Sequence, residues 1–316
     1  MSPLTLSIIV PVKDEEDAVR PFVKRVTKVI EALDDPAAAS FEILFVDDGS
    51  TDATIERIRK LNKSDPRVRA ISFSRNFGKE AAISAGLDEA RGVAVVPMDV
   101  DLQDPPEVLG DMLAKWRSGF EIVYGVRNDR ETDSLPKRLT ADLYYRAHNW
   151  LSSDKIPEHA GDFRLLDRQV VDVIRAMPER TRFMKGLFAW AGFRQTFVTY
   201  RREAREHGET KFNYWKLWTF ALDGITSAST VPLRVWSYLG GIVALFALVF
   251  AIFLTVRTLI LGVQVPGYAS LMVAVLFLGG LQLLSLGILG EYVGRIFVET
   301  KHRPLYVVRE RIGEDD

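Results

Sequence analysis

The chain has 316 residues, with 41 Lys and Arg set against 42 Asp and Glu, and no cysteine. That charge balance argues against bulk nucleic-acid binding, which needs a basic excess, and the missing thiols exclude disulfides and thiolate metal sites. Length allows one or two domains. Met1 to Val12 has no basic leader and runs straight into a strand pattern, so it is not expected to be a signal peptide, and the front of the protein is expected to stay in the cytoplasm.

In chain order, Leu4 to Val12 reads as a β-branched strand, and Glu16 to Leu33 as a helix with Ala18, Phe22, Val26, Val29 and Leu33 on one side. Phe41 to Val46 is an apolar strand closed by Asp47-Asp48-Gly49-Ser50, and Thr51 to Leu61 a helix with Ser50 as its N-cap. Strand Val68 to Phe73, helix Lys79 to Arg91, strand Val93 to Met98, helix Pro106 to Arg117 and strand Glu121 to Val126 follow. Alternation of this kind predicts a doubly wound, mostly parallel sheet. Ligands bind such sheets at the carboxyl ends of the strands. The polar groups Lys13 to Glu15, Asp47 and Asp48, Arg75 to Lys79 and Asp99 to Asp104 all fall there. No G-x-G-x-x-G follows the first strand, which argues against a nicotinamide enzyme.

The back of the chain has a different character. Trp236 to Val256 and Ser270 to Gly290 are uncharged and long enough to cross a bilayer, with Pro266-Gly267 breaking the region between them. Basic residues crowd both outer flanks while the connecting loop has only Arg257, so both termini are expected in the cytoplasm. Ahead of the first span, Phe212, Trp215, Trp218, Leu222 and Ile225 share a face of a helix over 211–230, expected to lie on the membrane interface.

Asp99 and Asp101 flank one residue at the end of an apolar strand. In an extended segment positions i and i+2 point the same way, so the two carboxylates can converge on a hard divalent cation, Mg²⁺ or Mn²⁺, completed by a nucleotide diphosphate. The alternative is a solvated acidic turn. Arg127 and Arg130, in the charged loop 127–135, either neutralise such a diphosphate when the loop closes or are simply solvated.

The motifs Val10-Pro11-Val12, Val46-Asp47-Asp48-Gly49-Ser50-Thr51-Asp52, Ser74-Arg75-Asn76-Phe77-Gly78 and Asp99-Val100-Asp101-Leu102-Gln103-Asp104-Pro105-Pro106 together resemble the family 2 glycosyltransferases of the GT-A fold. More narrowly, the chain is similar to bacterial polyprenyl-phosphate glycosyltransferases, relatives of bactoprenol glucosyltransferase and dolichyl-phosphate-mannose synthase. The resemblance continues through Gly161-Asp162-Phe163-Arg164-Leu165, Arg182-Phe183-Met184-Lys185-Gly186-Leu187, the segment from Arg205 to Phe212, and Gly290-Glu291-Tyr292. It implies that Pro11, Val12, Glu15 and Asp48 form part of the base and ribose pocket. Asp99 and Asp101 then bind metal and diphosphate, and Gln103 lies near the sugar. Asp162 corresponds to an aspartate offered as catalytic base; orienting the acceptor is the other role open to it. Arg205 and Lys211 match a pattern placed to bind the lipid phosphate, the alternative being topology alone. Lys13-Asp14 departs from the Tyr-Asn often found after the first strand of the family.

The expectation is therefore a GT-A domain (Rossmann-like) over 1–210, an interfacial helix over 211–234, a two-helix transmembrane hairpin over 235–291 and a cytoplasmic tail over 292–316. The implied reaction is inverting transfer of a hexose from a nucleotide sugar, UDP-glucose favoured, to undecaprenyl phosphate at the inner membrane. GDP-mannose or an aminosugar donor is the runner-up, and a catalytically silent scaffold the rival class. The resemblance also implies a homo-oligomer, with a tetramer the state it suggests.

Overall fold

In the computed structural model, residues 5–33, 35–128, 160–180, 182–201, 231–261 and 267–313 are described. The elements are β1 (Leu6–Val12), α1 (Val19–Ala32), β2 (Phe41–Asp47), α2 (Thr54–Ser64), β3 (Val68–Phe73), α3 (Lys79–Glu89), β4 (Ala94–Pro97), α4 (Leu109–Arg117) and β5 (Ile122–Arg127). Then come β6 (Ala160–Asp167), α5 (Arg168–Ala176), α6 (Met184–Trp190), β7 (Gln195–Tyr200), α7 (Val231–Leu261), α8 (Tyr268–Thr300) and β8 (Val308–Ile312).

Among the described residues, eight strands form one sheet in the order β7-β5-β6-β4-β1-β2-β3-β8. The central strands β3, β2, β1 and β4 are parallel, while β6 and β8 run against their neighbours. Mostly parallel order follows from the alternation of strands with helices, which cover both faces. Side chains of β1 alternate accordingly. Leu6, Ile8 and Val10 pack with Phe22 and Val26 of α1 and with Phe45, and Ile9 packs on the other face with Ala82, Ile83, Val170 and Ile174. Val19, Phe22, Val26 and Ile30 recur at helical spacing, which is why α1 buries one face. Phe22 meets Phe45 edge-on at 6.1 Å, and burying a side chain of that size contributes about 1.5–3 kcal/mol.

Two local expectations are corrected. Helix α2 begins at Thr54, not at Thr51, and Ser50 is not its cap, because the Ser50 hydroxyl accepts the Asp14 N–H while Asp52 accepts the Thr54 N–H. The segment from Pro106 divides into a 3-10 turn, Pro106–Val108, and then α4.

The carboxyl-terminal segment joins the sheet. β8 lies antiparallel on β3, and the Ser74 N–H donates to the Val307 carbonyl at 2.9 Å. Glu310 pairs with Arg59 and Arg311 with Glu89, Tyr306 donates to Asp88 at 2.8 Å, and its ring stacks on Phe73 at 5.0 Å. Charges alternating along Val308–Ile312 suit an edge strand. Helices α7 and α8 leave large apolar side chains exposed, among them Phe246, Phe250, Leu283 and Phe297. Among the described residues, Phe277–Thr300 is one helical stretch long and apolar enough to cross a membrane. The expected interfacial helix over 211–230 lies outside the described residues.

Ending the chain after Leu305 would uncover the β3 edge and remove the Tyr306 ring from Phe73. The melting midpoint of the detergent-solubilised protein is expected to fall by at least about 5 °C. An unchanged midpoint would show that β8 adds nothing to the sheet.

Candidate active site

The carboxyl ends of β1, β2 and β3 are woven together by their loops. After β1, Asp14 takes a positive φ of 54° and accepts the Thr51 N–H at 2.7 Å. That bond, followed by the charge of neighbouring Lys13, lowers the Asp14 carboxyl against the opposing effect of burial. The Glu15 N–H donates to the Thr54 hydroxyl and the Glu16 N–H to Asp52. Pro11 and Val12 end the strand beneath these bonds, Val12 buried and Pro11 lining a pocket.

The second crossing is tighter. Asp48 is buried, and its two carboxylate oxygens accept the N–H groups of Phe77 at 2.6 Å and Gly78 at 3.0 Å. Gly49, at φ 68°, lies directly under this crossing; a Cβ there would come within 2.6 Å of the Arg75 backbone carbonyl carbon. Gly78, at φ 98°, then turns the chain into α3, so Lys79 begins the helix with its backbone anchored by Asp48.

Lys79 reaches across to the end of β4. Its Nζ lies 2.7 Å from Asp99 Oδ1, 3.0 Å from Asp99 Oδ2 and 3.3 Å from Asp162 Oδ2. Lys185, one residue into α6, approaches the other Asp162 oxygen at 3.6 Å. Lys79, Asp99, Asp104 and Asp162 line one pocket with Pro11 and Phe163. Crowding would raise the Asp162 carboxyl, but Lys185, Lys79 and Arg164 outweigh it and hold the group well below the usual carboxylate range. Glu80 behaves oppositely. Burial, reinforced by the Asp162 charge, pushes its carboxyl up to about 7, while the N–H of Met184 donates to it at 3.3 Å.

The segment after β4 is not built as the sequence pattern suggests. β4 ends at Pro97, and Val100-Asp101 forms a turn, so strand alternation does not aim the two carboxylates. Leu102 has φ 55° and is nevertheless buried; packing holds a conformation that costs about 1–3 kcal/mol. Asp101 accepts the Gln103 N–H at 3.2 Å, which fixes the turn. Asp104 is buried, accepts the Tyr200 hydroxyl proton and lies 3.7 Å from Arg127. Arg127 also donates to the Tyr200 oxygen at 3.4 Å, so it stands beside the Asp99–Asp104 segment.

Pro11, Asp99, Asp162 and, through Asp104, Arg127 thus come together, with Val12, Glu15, Asp48, Asp101 and Gln103 in the adjoining loops. Arg130, Arg205 and Lys211 lie outside the described residues. The sequence places Lys79 and Asp104 among the polar groups at the strand ends without a specific role, and gives none to Glu80 or Lys185. Lys79 and Lys185 stood within quoted segments, but the aspartates they meet are 20 or more positions away. Among the described residues no group of three or more His, Asp or Glu is arranged to hold a metal ion alone. The carboxylates present are hard oxygen donors, the donor type of a cation such as Mg²⁺ that takes one or two carboxylates and completes its shell from phosphate and water; here Asp99 is engaged by Lys79 and Asp101 accepts the Gln103 N–H.

Residues 7–175 match the model of glycosyl transferase family 2. The chain belongs to that family. It is 51% identical to an uncharacterized glycosyltransferase of Synechocystis, over 98% of this chain and 96% of that protein. It is 49% identical to a prophage bactoprenol glucosyl transferase homolog of Escherichia coli, covering 97% of this chain and 99% of the relative. The bactoprenol glucosyl transferase of Shigella phage SfV is also 49% identical, over 97% and 98% of the two chains. Among solved structures there is a weaker similarity to glucosyl-3-phosphoglycerate synthase from Mycobacterium tuberculosis, with TM-score 0.46, 17% identity, and coverage of 69% and 76%. The GT-A α/β fold and the glycosyltransferase activity expected from the motifs stand.

The raised Glu80 carboxyl makes a signed prediction. Between its ordinary 4.5 and about 7 the folded protein holds a proton that the unfolded chain has lost, so stability declines as pH rises through that window. Glu80→Gln should remove this slope, so that its melting midpoint gains on the wild type from pH 5 to pH 8. Parallel pH profiles of the two proteins would contradict the assignment.

Proposed function

We propose that the chain transfers a hexose, with UDP-glucose the favoured donor, to undecaprenyl phosphate at the cytoplasmic face of the inner membrane, inverting the anomeric carbon. The observation that carries this reading is the attachment of the apolar helix α8 beside the segment that leads into the pocket. Glu299, near the end of α8, accepts the Arg180 N–H at 2.9 and 3.0 Å, four residues ahead of the helix that carries Lys185 to Asp162. A soluble nucleotide sugar can reach the strand ends while a lipid phosphate comes from the α8 side. Relatives named bactoprenol glucosyl transferase, alike over nearly the whole chain, support the same acceptor class.

The lipid phosphate oxygen attacks the anomeric carbon as the bond to the donor diphosphate breaks, giving a β-linked product from an α-linked donor. A phosphate monoester has its second pKa near ~6 and needs little deprotonation. Asp162, held ionised by three cations, is a weak proton acceptor, which favours orienting the acceptor or the sugar over general base catalysis. Pro11, Val12, Glu15, Asp48 and Gln103 serve the nucleotide and sugar. Arg127, with Arg130, serves the diphosphate, and Arg205 and Lys211 the lipid phosphate. Mg²⁺ or Mn²⁺ on Asp99 and Asp101 would supply charge neutralisation for the leaving diphosphate. Two spans, α7 and α8, leave both termini in the cytoplasm, and copies of the chain assemble through them.

Full-length protein incubated with undecaprenyl phosphate and a panel of nucleotide sugars, with the lipids read by mass spectrometry, tests this. Hexosyl-phosphoryl-undecaprenol from UDP-glucose is expected, falling by at least about a hundredfold in Asp99→Asn and Asp162→Asn. A product from GDP-mannose instead would change the sugar; no lipid-linked sugar from any donor would refute the reading.

A further inference from the structure

The Lys79 ammonium stands where a cation is needed. It engages both oxygens of Asp99, at 2.7 and 3.0 Å, and one of Asp162 at 3.3 Å, joining the end of β4 to β6. Its backbone cannot drift, since the two preceding N–H groups are held by buried Asp48. Its side chain can move: it is 43% exposed, and a lysine stem is flexible. Without this ammonium, Asp99 would lose its paired cation, and Asp162 would keep Lys185, 3.6 Å from its far side, and the more remote charge of Arg164.

We propose that Lys79 is a resident counter-ion that competes with the divalent metal for Asp99 and gives the carboxylate up only when the donor diphosphate arrives. The inference rests on the reading of Asp99 as a metal ligand. One ammonium that contacts both oxygens of Asp99 sets a positive charge where a metal would approach and takes part of the carboxylate's acceptor capacity. Metal alone must push Lys79 away from Asp99 and leave it only Asp162, which it shares with Lys185. A diphosphate gives the displaced ammonium new anionic oxygens within reach of its stem, so Lys79 then turns from Asp99 to the leaving group. This couples metal binding to donor binding and keeps the pocket neutralised while the enzyme waits for substrate.

The test uses full-length protein in detergent and the EPR signal of free Mn²⁺, with and without UDP. Lys79→Met and Lys79→Gln should each bind Mn²⁺ without nucleotide at least about tenfold more tightly than wild type, as expected for loss of a charge-assisted competitor. The added Asp99→Asn change should abolish the gain. A lysine that merely braces the pocket predicts no gain, so equal or weaker Mn²⁺ binding in both variants overturns the inference while leaving the metal reading intact, provided UDP-loaded wild type binds Mn²⁺ beyond what UDP alone holds. If UDP-loaded wild type holds no such extra Mn²⁺, the metal assignment falls and this inference with it.

Discussion

One buried carboxylate that accepts two consecutive backbone N–H groups governs this site. Asp48 closes the β2 turn on Phe77 and Gly78, and the placement of Lys79, the next residue, depends on that crossing. Through it the first residue of α3 is brought over the end of β1 and its ammonium set between Asp99 and Asp162. Gly49 is the steric condition for the crossing, because the two backbones meet where a side chain would have to be. β8 supports the same loop from its other end, through the Val307 carbonyl and the Tyr306–Phe73 stack.

The electrostatics of the pocket divide neighbouring carboxyls into two states. Asp162 stays ionised because Lys185, Lys79 and Arg164 surround it, although burial opposes the charge. Glu80 is pushed towards neutrality near pH 7 by its burial and by that ionised Asp162. A site that handles a diphosphate and a second phosphate benefits from this arrangement. On the proposed reading, fewer fixed negative charges face the anionic substrates, and the lysines sit where negative charge would collect.

Much of the fold is legible in the sequence. The strands β1 to β5 are apolar, β-branched runs separated by helices with local turn signals, α1 and α2 amphipathic and α3 buried over Ala82 to Leu87. Strands β6 and β7 are harder to read. In Ala160–Asp167 and Gln195–Tyr200 polar residues interrupt the apolar ones, and β6 pairs antiparallel with strands far upstream. β8 is harder still, since Val308–Ile312 becomes a strand only by meeting β3, more than two hundred residues earlier. At the site, a Pro-bounded acidic motif after an apolar strand draws attention to Asp99 and Asp101, of which Asp99 lines the pocket. Local alternation gives the wrong reason for their placement, because the chain turns after Pro97 under the anchorage of buried Leu102. Lys79, Glu80 and Lys185 acquire meaning only through Asp162, which tertiary structure brings to them.

The central claim is that the Asp48 clamp, by placing Lys79 and the β3–α3 loop, makes the donor site. Asp48→Asn keeps the shape but turns one acceptor into a donor that faces a backbone N–H. Calorimetric titration of the purified full-length protein with UDP-glucose, alongside far-UV circular dichroism, measures the consequence. The account predicts a loss of donor affinity of at least about tenfold with the secondary structure retained, since a buried N–H left unmatched costs about 1–3 kcal/mol. Wild-type donor affinity in Asp48→Asn would contradict it.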